Sequence, residues 1–192
     1  MTEPVKVHLG SGPHLMPGWI NVDYEADFKP EVVADLTQRF PFDDASVDYI
    51  HSEGVLCQFD LPAGEHFLNE CFRILKPGGY MRLLTPDLRR LLSAYLDDAE
   101  RGENQLAALW QREVEIPLKL KTSAEVINIG IRNLHKFMYD SPTLMKLLDE
   151  SGFQSQEVGY QQSSVAALSG LDVRTPENAT YMYFECGKPV DA

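Results

Sequence analysis

Two glycines close to the start of the chain stand where a strand must turn and pass beneath a ligand. Residues Val5 to Leu9 alternate between apolar and polar side chains, as a half-buried strand does, and lead into Gly10-Ser11-Gly12. Glycine has no Cβ atom, so the backbone there reaches positive φ at little cost and can approach a bound group closely. The pattern predicts a binding site for a nucleoside-type cofactor.

Two aspartates then end the next two strand-like runs. Ile20-Asn21-Val22 leads into Asp23, and Val32-Val33-Ala34 leads into Asp35. A carboxylate at the end of the second strand, facing the glycine turn, can accept hydrogen bonds from both hydroxyls of a ribose. The second carboxylate can accept one from an adenine amino group. Either aspartate alone would more often be a structural turn residue, but the ordered set predicts an adenosine site.

The spacing after the glycines argues against a dinucleotide cofactor. A dinucleotide fingerprint has a third glycine three residues after the second, and Leu15 stands there. Residues 13–19 contain two prolines and a glycine and lack helical periodicity, so no long helix is expected before the second strand. Asp23 also lies only thirteen residues after Gly10. An NAD(P)-dependent oxidoreductase is therefore disfavoured.

Apolar patterns along the chain alternate between strand and helix, which is typical of a parallel sheet with crossover helices. The predicted strands lie near 5–9, 19–23, 32–35, 47–51, 79–85, 153–160 and 179–187. Helices are predicted before the Lys76-Pro77-Gly78-Gly79 turn and over 88–101, 104–114 and 141–150. These elements would bring the glycines and the aspartates to one edge of the sheet.

Several side chains receive a simple structural interpretation. Glu70 and Arg73 lie three residues apart on a predicted helix and are expected to form an exposed ion pair. Surface charge is the expectation for Arg82, Arg89 and Arg90. The helix over 88–101 is expected to turn four apolar side chains inward, Leu91, Leu92, Tyr95 and Leu96.

Composition favours one globular domain over residues 1–192. The chain has 192 residues, of which 44% are hydrophobic and 24% charged, values ordinary for a globular protein with a substantial core. The formal net charge of −12 disfavours nucleic acid as a partner, because such binding depends largely on Lys and Arg displacing counterions.

Cysteine spacing and hydropathy favour a cytoplasmic location for the protein. Cys57, Cys71 and Cys186 are widely spaced and include no CxxC pair, so reduced thiols in a cytoplasmic protein are favoured over disulfides or a zinc site. No apolar run approaches the ~20 residues that span a bilayer, and the N-terminus has no signal-like core. We expect a cytoplasmic protein with no metal and no membrane contact.

The order of these motifs resembles the class I S-adenosylmethionine-dependent methyltransferases. The chain is most similar to their compact, type 11-like branch, which often modifies small molecules, sugars or biosynthetic intermediates. The likeness is carried by HLGSGP, PGWINVD, VVADL, FPFDDASVDYIHSEGVL, FLNECFRILKPGGYMRLLTPD and LMKLLDESGF. It implies an α/β, Rossmann-like, doubly wound and mostly parallel seven-stranded sheet, with an antiparallel last strand and a helical insertion after the fifth strand.

The resemblance also implies roles for individual residues. The implied cofactor is S-adenosyl-L-methionine, and its implied contacts are Gly10, Ser11 and Gly12 along the methionyl part, Asp23 at the ribose, Asp35 and Leu36 at the adenine, and His51 and Ser52 near the sulfonium. His14 stands where many relatives have a third glycine, and we assign it to the substrate. Many relatives also have a Leu-Glu-His sequence where this chain has Leu56-Cys57-Gln58, so no family histidine can be transferred there.

The resemblance implies methyl transfer to an oxygen or nitrogen of a small metabolite, sugar or natural-product intermediate. A hydroxyl acceptor needs a base, and histidine has a pKa near neutrality. His135 is our candidate base, with Tyr139 orienting the substrate, while the alternative is a hydrogen-bonded structural histidine. Residues 88–138 are a candidate substrate lid and dimer surface, or only a cover for the sheet. A non-catalytic cofactor-binding or partner subunit on the same fold is the alternative function.

Overall fold

Within the described residues of the computed structural model, which are 3–113, 119–176 and 180–191, seven strands form one sheet. The strands are β1 (Lys6–Leu9), β2 (Ile20–Asp23), β3 (Val32–Val33), β4 (Val47–Glu53), β5 (Leu75–Pro86), β6 (Gln154–Val158) and β7 (Tyr181–Gly187). Their order is β3-β2-β1-β4-β5-β7-β6, with β7 antiparallel to both of its neighbours and the remaining pairs parallel. The predicted Rossmann-like fold is confirmed. Residue 179, the predicted start of the last strand, lies outside the described residues.

Five helices connect or follow these strands in the described ranges. They are α1 (Leu61–Ile74), α2 (Leu88–Arg101), α3 (Gln105–Glu113), α4 (Ser123–Ile129) and α5 (Ser141–Glu150). Aspartates cap three of them, because Asp60, Asp87 and Asp140 each accept backbone N–H groups of the first turn. Residue 114, the predicted end of α3, lies outside the described residues. None of the described helices is both long and apolar enough to cross a membrane.

One face of the sheet packs against α1 and α5. Side chains alternate between the two faces of a strand, so Val7 and Leu9 point toward these helices and are completely buried. The core on this face includes Val22, Ile50, Met81, Leu83 and Phe184 from the sheet and Phe67, Leu68, Ile74, Leu144 and Leu148 from the helices. These apolar residues recur at helical spacing in α1 and α5, as the sequence predicted.

The opposite face carries a row of buried polar side chains that crosses five strands. We call this the polar row, and it consists of Asn21, His8, His51, Arg82 and Glu185, which are neighbours in strand register. No helix separates β1 from β2, so residues 13–19 cover part of this face. Residues 159–176, here the cover segment, lie over β5 and contribute the partners of Arg82. The face is thus closed by loops that bring polar groups with them.

Arg82 and Asp172 form an ion pair inside this face. The Arg82 Nε atom donates to Asp172 Oδ1 at 2.9 Å and Nη2 donates to Oδ2 at 2.5 Å, and both side chains have 0% exposure. Arg82 also donates to the carbonyl oxygens of Gln162 and Gly159. The expectation that Arg82 is surface charge is therefore wrong. Arg82 lies in an apolar strand, so its side chain is buried on one face of the sheet. The cover segment supplies its hydrogen-bond acceptors.

The Glu70–Arg73 pair is also more buried than expected. Glu70 is 7% exposed and accepts the Phe40 backbone N–H at 2.7 Å, while Arg73 Nη2 donates to Glu70 at 2.7 Å. Arg73 further donates to the carbonyl oxygens of Phe40 and Phe42. The pair fastens the segment between β3 and β4 to α1, where the sequence alone suggested a solvated helix face.

Helices α2, α3 and α4 pack around a separate apolar cluster. The buried members are Leu91, Leu106, Ala107, Trp110, Leu120 and Val126. Two side chains predicted to point inward, Leu92 and Leu96, are 40% and 57% exposed, so that part of the prediction is wrong. They lie on the exposed side of α2, whereas Leu91 is buried in the cluster and Tyr95 packs against it as predicted. Residues 88–138 remain a predicted lid, and 114–118, with Pro117, lie outside the described residues.

Lowering the pH should weaken folding through His8. Burial, and then the His51 imidazole 5.2 Å away between ring centroids, lower the pKa of His8 from 6.5 to about 4. Between these two pH values His8 is protonated in the unfolded chain but stays neutral in the folded protein. The free energy of unfolding is therefore not reduced by His8 above pH 6.5. It falls by about 2 to 3 kcal/mol as the pH decreases toward 4.

Urea unfolding of wild type and His8→Asn at pH 7, 5.5 and 4 would test this expectation. The free energy of unfolding should fall less steeply with decreasing pH in the variant than in wild type. Equal pH dependence of the two proteins would contradict the assignment to His8.

Candidate cofactor and active site

The turn after β1 has the geometry that its glycines predicted. Gly10 and Gly12 have φ values of +70° and +52°. The N–H groups of Gly10 and Ser11 both donate to the Val22 carbonyl oxygen, at 2.8 and 3.1 Å, which ties the turn to β2. A Cβ atom at Gly10 would lie 2.1 Å from Val55 Cγ2, whereas a Cβ atom at Gly12 would meet nothing within 4 Å. The turn is thus tightly packed below Gly10 and open above Gly12.

Asp23 lies beside this turn. Its Oδ2 atom accepts the Gly12 N–H at 2.7 Å, and its Oδ1 atom accepts the Glu25 N–H at 2.9 Å. Each carboxylate oxygen can accept a further hydrogen bond, and the side chain is only partly buried. The carboxylate is therefore held in place and can still bind a pair of hydroxyls.

Asp35 reaches the same edge of the sheet. The Ala34 N–H donates to the Asp23 carbonyl oxygen at 3.0 Å, which continues the pairing of β2 and β3 up to the residue before Asp35. The exposed Asp35 carboxylate accepts the N–H and the hydroxyl of Thr37, at 2.9 and 2.8 Å, and these bonds hold its pKa below the usual range. Leu36 is 6% exposed and packs into the core. Asp35 is thus an ionised acceptor at the rim, with Leu36 beneath it.

An exposed aromatic residue next to Asp23 was missed by sequence reasoning. Tyr24 is 75% exposed, and Phe28 is 38% exposed a few residues further along. Aromatic rings at the surface can stack on flat ligand groups while their polar edges remain in water. The signal in the sequence was an aromatic residue directly after the strand-ending acid. Tyr24 is accordingly the ring nearest in sequence to the predicted ribose site.

Asn21 organises the loop between the glycine turn and β2. Its Oδ1 atom accepts the Met16 N–H at 2.8 Å, and its Nδ2 group donates to the carbonyl oxygens of Met16 and Trp19. Nδ2 also donates to Glu31 Oε2 at 2.8 Å. The loop is therefore fixed without a helix, and it displays His14 at the surface. From the sequence, Asn21 was predicted only as a strand residue, and its role in ordering this loop was missed.

At the end of β4, the predicted side chains do not reach the rim. His51 and Ser52 are 1% and 0% exposed, so a direct contact of either side chain with a ligand would require this packing to open. Glu53 accepts the N–H groups of Val173 and Arg174, at 3.2 and 2.6 Å, and lies 3.5 Å from His51 Nε2. Burial raises the pKa of Glu53, but these hydrogen bonds and His51 outweigh it and the net pKa is lowered. Glu53 therefore fastens the cover segment to β4.

The predicted catalytic segment runs beside the loop that follows β4. The Lys136 N–H donates to the Cys57 carbonyl oxygen at 2.8 Å, which places the half-buried His135 next to this loop. The His135 ring stands edge-on to Trp110, with centroids 6.4 Å apart. Tyr139, in contrast, is 0% exposed, and burial raises its pKa to about 12. A contact between Tyr139 and a substrate would require the surrounding core to open.

Comparisons with known proteins agree with this architecture. Residues 13–83 match the family model of a methyltransferase domain. None of the curated proteins matches the chain. Among solved structures, an S-adenosylmethionine-dependent methyltransferase of Thermotoga maritima is 19% identical, with 98% of this chain and 84% of that one covered and a TM-score of 0.55.

Two further structures are similar over nearly the whole chain. The S-adenosylmethionine-dependent methyltransferase of Methanosarcina mazei is 14% identical, with a TM-score of 0.60 over 98% of this chain and 93% of that one. A methyltransferase of Archaeoglobus fulgidus that depends on S-adenosylmethionine is 14% identical, with a TM-score of 0.59 over 96% of this chain and 86% of that one. With the strand order and the family match, the resemblance predicted from the sequence is confirmed. Residues 13–83 thus match a methyltransferase domain, and the fold over nearly the whole chain is that of these methyltransferase structures.

The rim beside the glycine turn offers groups that fit an adenosyl group. Three observations fit that group: the open space above Gly12, the fixed carboxylate of Asp23, and the exposed ring of Tyr24. Asp35 lies at the same edge. The family match begins directly after Gly12 and so does not include the glycine turn. The turn is assigned to the site because the Gly12 N–H donates to Asp23.

The fold brings some, but not all, of the predicted site residues to one edge of the sheet. The glycine turn, Asp23 and Asp35 share one edge, and His135 borders the loop after β4. His51, Ser52, Leu36 and Tyr139 are buried below that edge. Within the described residues, no group of three or more His, Cys, Asp or Glu side chains is arranged to hold a metal ion. The carboxylates of Asp23 and Asp35 are hydrogen-bond acceptors that a nucleoside could use at this edge.

Proposed function

We propose that this protein transfers a methyl group from S-adenosyl-L-methionine to an oxygen or nitrogen of a small metabolite, sugar or natural-product intermediate. The observation that carries the proposal is the 2.7 Å hydrogen bond from the Gly12 N–H to Asp23, which fixes a carboxylate beside an open turn on a methyltransferase fold. Asp23 would bind the ribose hydroxyls, Asp35 the adenine edge, and Gly10 to Gly12 the methionyl part.

The cofactor supplies a methyl group already activated by a sulfonium, so the protein has modest chemical work to do. Its residues must align the acceptor and, for a hydroxyl acceptor, remove a proton. Trp110 and the helices around it stand beside His135, which supports residues 88–138 as the element that closes over the substrate. His14, exposed near the glycine turn, is proposed as a second substrate contact.

His135 is the proposed general base. Removing a positioned base lowers turnover by roughly 10²–10⁴-fold, so His135→Gln should lower kcat by about that factor while the affinity for S-adenosylhomocysteine changes little. His66→Gln is the matched control, because His66 lies on α1 and is predicted to have no part in the reaction. Near-normal turnover in His135→Gln would remove His135 from the mechanism without affecting the proposed reaction class.

The acceptor is proposed to be a small molecule rather than a nucleic acid. The net charge of −12 opposes broad contact with phosphates. A cytoplasmic location and a homodimer formed through the insertion remain predictions. The oligomer would be seen directly by sedimentation of the full chain.

Methyl transfer can be tested without knowing the acceptor. The protein is incubated with methyl-labelled S-adenosylmethionine and a small-molecule metabolite extract, and formation of S-adenosylhomocysteine and of a labelled product is followed. We expect both to appear with wild type and to disappear with Asp23→Ala. Binding of S-adenosylhomocysteine without any extract-dependent turnover would count against catalysis.

That second outcome would favour a non-catalytic cofactor-binding or partner subunit. The burial of His51, Ser52 and Tyr139 gives this candidate its support, because it leaves few polar side chains of the β4 region at the rim. Turnover with any component of the extract would exclude it.

A further inference from the structure

Arg174 is held by its backbone beside the end of β4. Its N–H donates to Glu53 at 2.6 Å, and its carbonyl oxygen accepts the Tyr183 hydroxyl at 2.8 Å. Glu53 ends β4, and Tyr183 lies on β7. This point of the cover segment is therefore fastened to two strands of the sheet, although sequence reasoning gave it no role.

The Arg174 guanidinium is oriented but makes no hydrogen bond with any described residue. Its Cζ atom lies 5.5 Å from the centroid of the Tyr181 ring, and its Nε atom lies 3.9 Å from Glu53 Oε1, beyond hydrogen-bond distance. The side chain is 44% exposed. A guanidinium carries five N–H donors in a rigid plane that matches a carboxylate. Glu53 forms a long ion pair with Nε, and none of the five donors is in a hydrogen bond with a described residue.

The guanidinium lies beside Gly54, and the residue after Gly54 packs against the glycine turn. A Cβ atom at Gly54 would be 3.6 Å from both the Cζ and the Nε atoms of Arg174. The next residue, Val55, packs directly against Gly10. Arg174 is thus joined to the glycine turn through two consecutive residues at the end of β4.

Charge identifies the group that Arg174 would recognise. In S-adenosylmethionine and its demethylated product, the adenosine part is uncharged and the one anionic group is the carboxylate of the amino acid. The Glu53 carboxylate accepts two backbone N–H groups and lies beside His51, and its 3.9 Å ion pair with Arg174 is too long to occupy the guanidinium donors. An acceptor with an anionic group would present the same chemistry.

We propose that Arg174 binds the carboxylate of the methionyl part of the cofactor, an inference that rests on the proposed function. The cover segment crosses the sheet face that has no helix after β1, and in doing so it brings a cation to the rim. Arg174 is then a cofactor-binding residue whose ligand is the amino-acid end, whereas Asp23 serves the ribose.

The test compares two ligands that differ by the amino-acid part. S-adenosylhomocysteine carries the carboxylate, while 5′-methylthioadenosine retains the adenosine and the thioether only. Loss of a charge-assisted hydrogen bond pair predicts that Arg174→Gln weakens S-adenosylhomocysteine binding by about 10- to 100-fold in calorimetry. Binding of 5′-methylthioadenosine should stay within about threefold of wild type, since it has no group for Arg174 to bind.

Two further variants keep the result interpretable. Lys146→Gln removes the same charge from an exposed position on α5 and should bind both ligands as wild type does. Arg174→Lys retains a cation and should recover part of the lost affinity for S-adenosylhomocysteine.

The inference is overturned if Arg174→Gln binds S-adenosylhomocysteine as wild type does, including the case in which only the KM for an anionic acceptor rises. Equal weakening of both ligands would also overturn it, because it would show a packing role for the cover segment. If wild type binds neither ligand, the proposed function itself fails. Wild-type binding of S-adenosylhomocysteine that is unaffected by Arg174→Gln refutes the inference alone.

Discussion

Replacing Asp23 by alanine should weaken the binding of S-adenosylhomocysteine by about 30- to 1000-fold, or about 2–4 kcal/mol, which is the expected net loss for one to two hydrogen bonds to a charged group. The variant loses the acceptor for the ribose hydroxyls and also the acceptor of the Gly12 N–H, which now orders the turn. Calorimetric titration of wild type and variant measures the ratio of the dissociation constants.

A matched variant separates this effect from a general loss of charge. Asp27→Ala removes an exposed acid four residues further along, in the short turn Ala26–Phe28, and should bind the ligand with wild-type affinity. Unchanged affinity in Asp23→Ala would show that the ribose lies elsewhere, whatever the fold.

Replacing Asp172 by alanine should lower the free energy of unfolding by about 3–5 kcal/mol, because it leaves the Arg82 charge buried without its partner. Both side chains have 0% exposure, so the Arg82 charge would lie away from bulk solvent without a counter-charge. The Gln161 N–H would lose its acceptor as well. Urea unfolding followed by circular dichroism measures the difference.

Two comparisons identify the buried charge as the cause. Replacing both partners with apolar residues, as in Arg82→Met with Asp172→Leu, should recover much of the lost stability. Glu150→Ala, which breaks the exposed Lys146–Glu150 pair, should cost less than about 1 kcal/mol. A loss below 1 kcal/mol in Asp172→Ala would mean that the cover segment is not fastened through this pair.

The elements of the fold could be predicted because their signals are local. Helix α5 begins and ends at the predicted residues, Ser141 and Glu150, since Asp140 caps it and Pro142 lies in its first turn. The glycine turn and Asp23 were predicted for the same reason, as a strand, a turn and a strand-ending acid follow one another closely in the chain.

The cover segment could not be predicted because its contacts join distant parts of the chain. Arg82 and Asp172 are 90 residues apart, and no spacing in the sequence indicates that they pair. A charged residue between Met81 and Leu83 in an apolar strand was the available signal for burial. The position of Arg174 could not be predicted for the same reason, because it depends on Glu53, 121 residues away.

Burial also decided which predicted site residues remain at the surface. A strand-ending residue can face the rim or the core, and the pattern after β4 did not distinguish the two for His51 and Ser52. Tyr139 was selected because it follows His135, yet the chain between them turns inward against Cys57. Proximity in sequence was a poor guide there.

A crystal structure of the protein with S-adenosylhomocysteine would decide whether this edge of the sheet is the cofactor site. The structure should place both ribose hydroxyls within hydrogen-bond distance of Asp23, with the amino-acid part along Gly10 to Gly12. Ligand density at another edge of the sheet, with Asp23 still bonded only to Gly12 and Glu25, would contradict the proposed site.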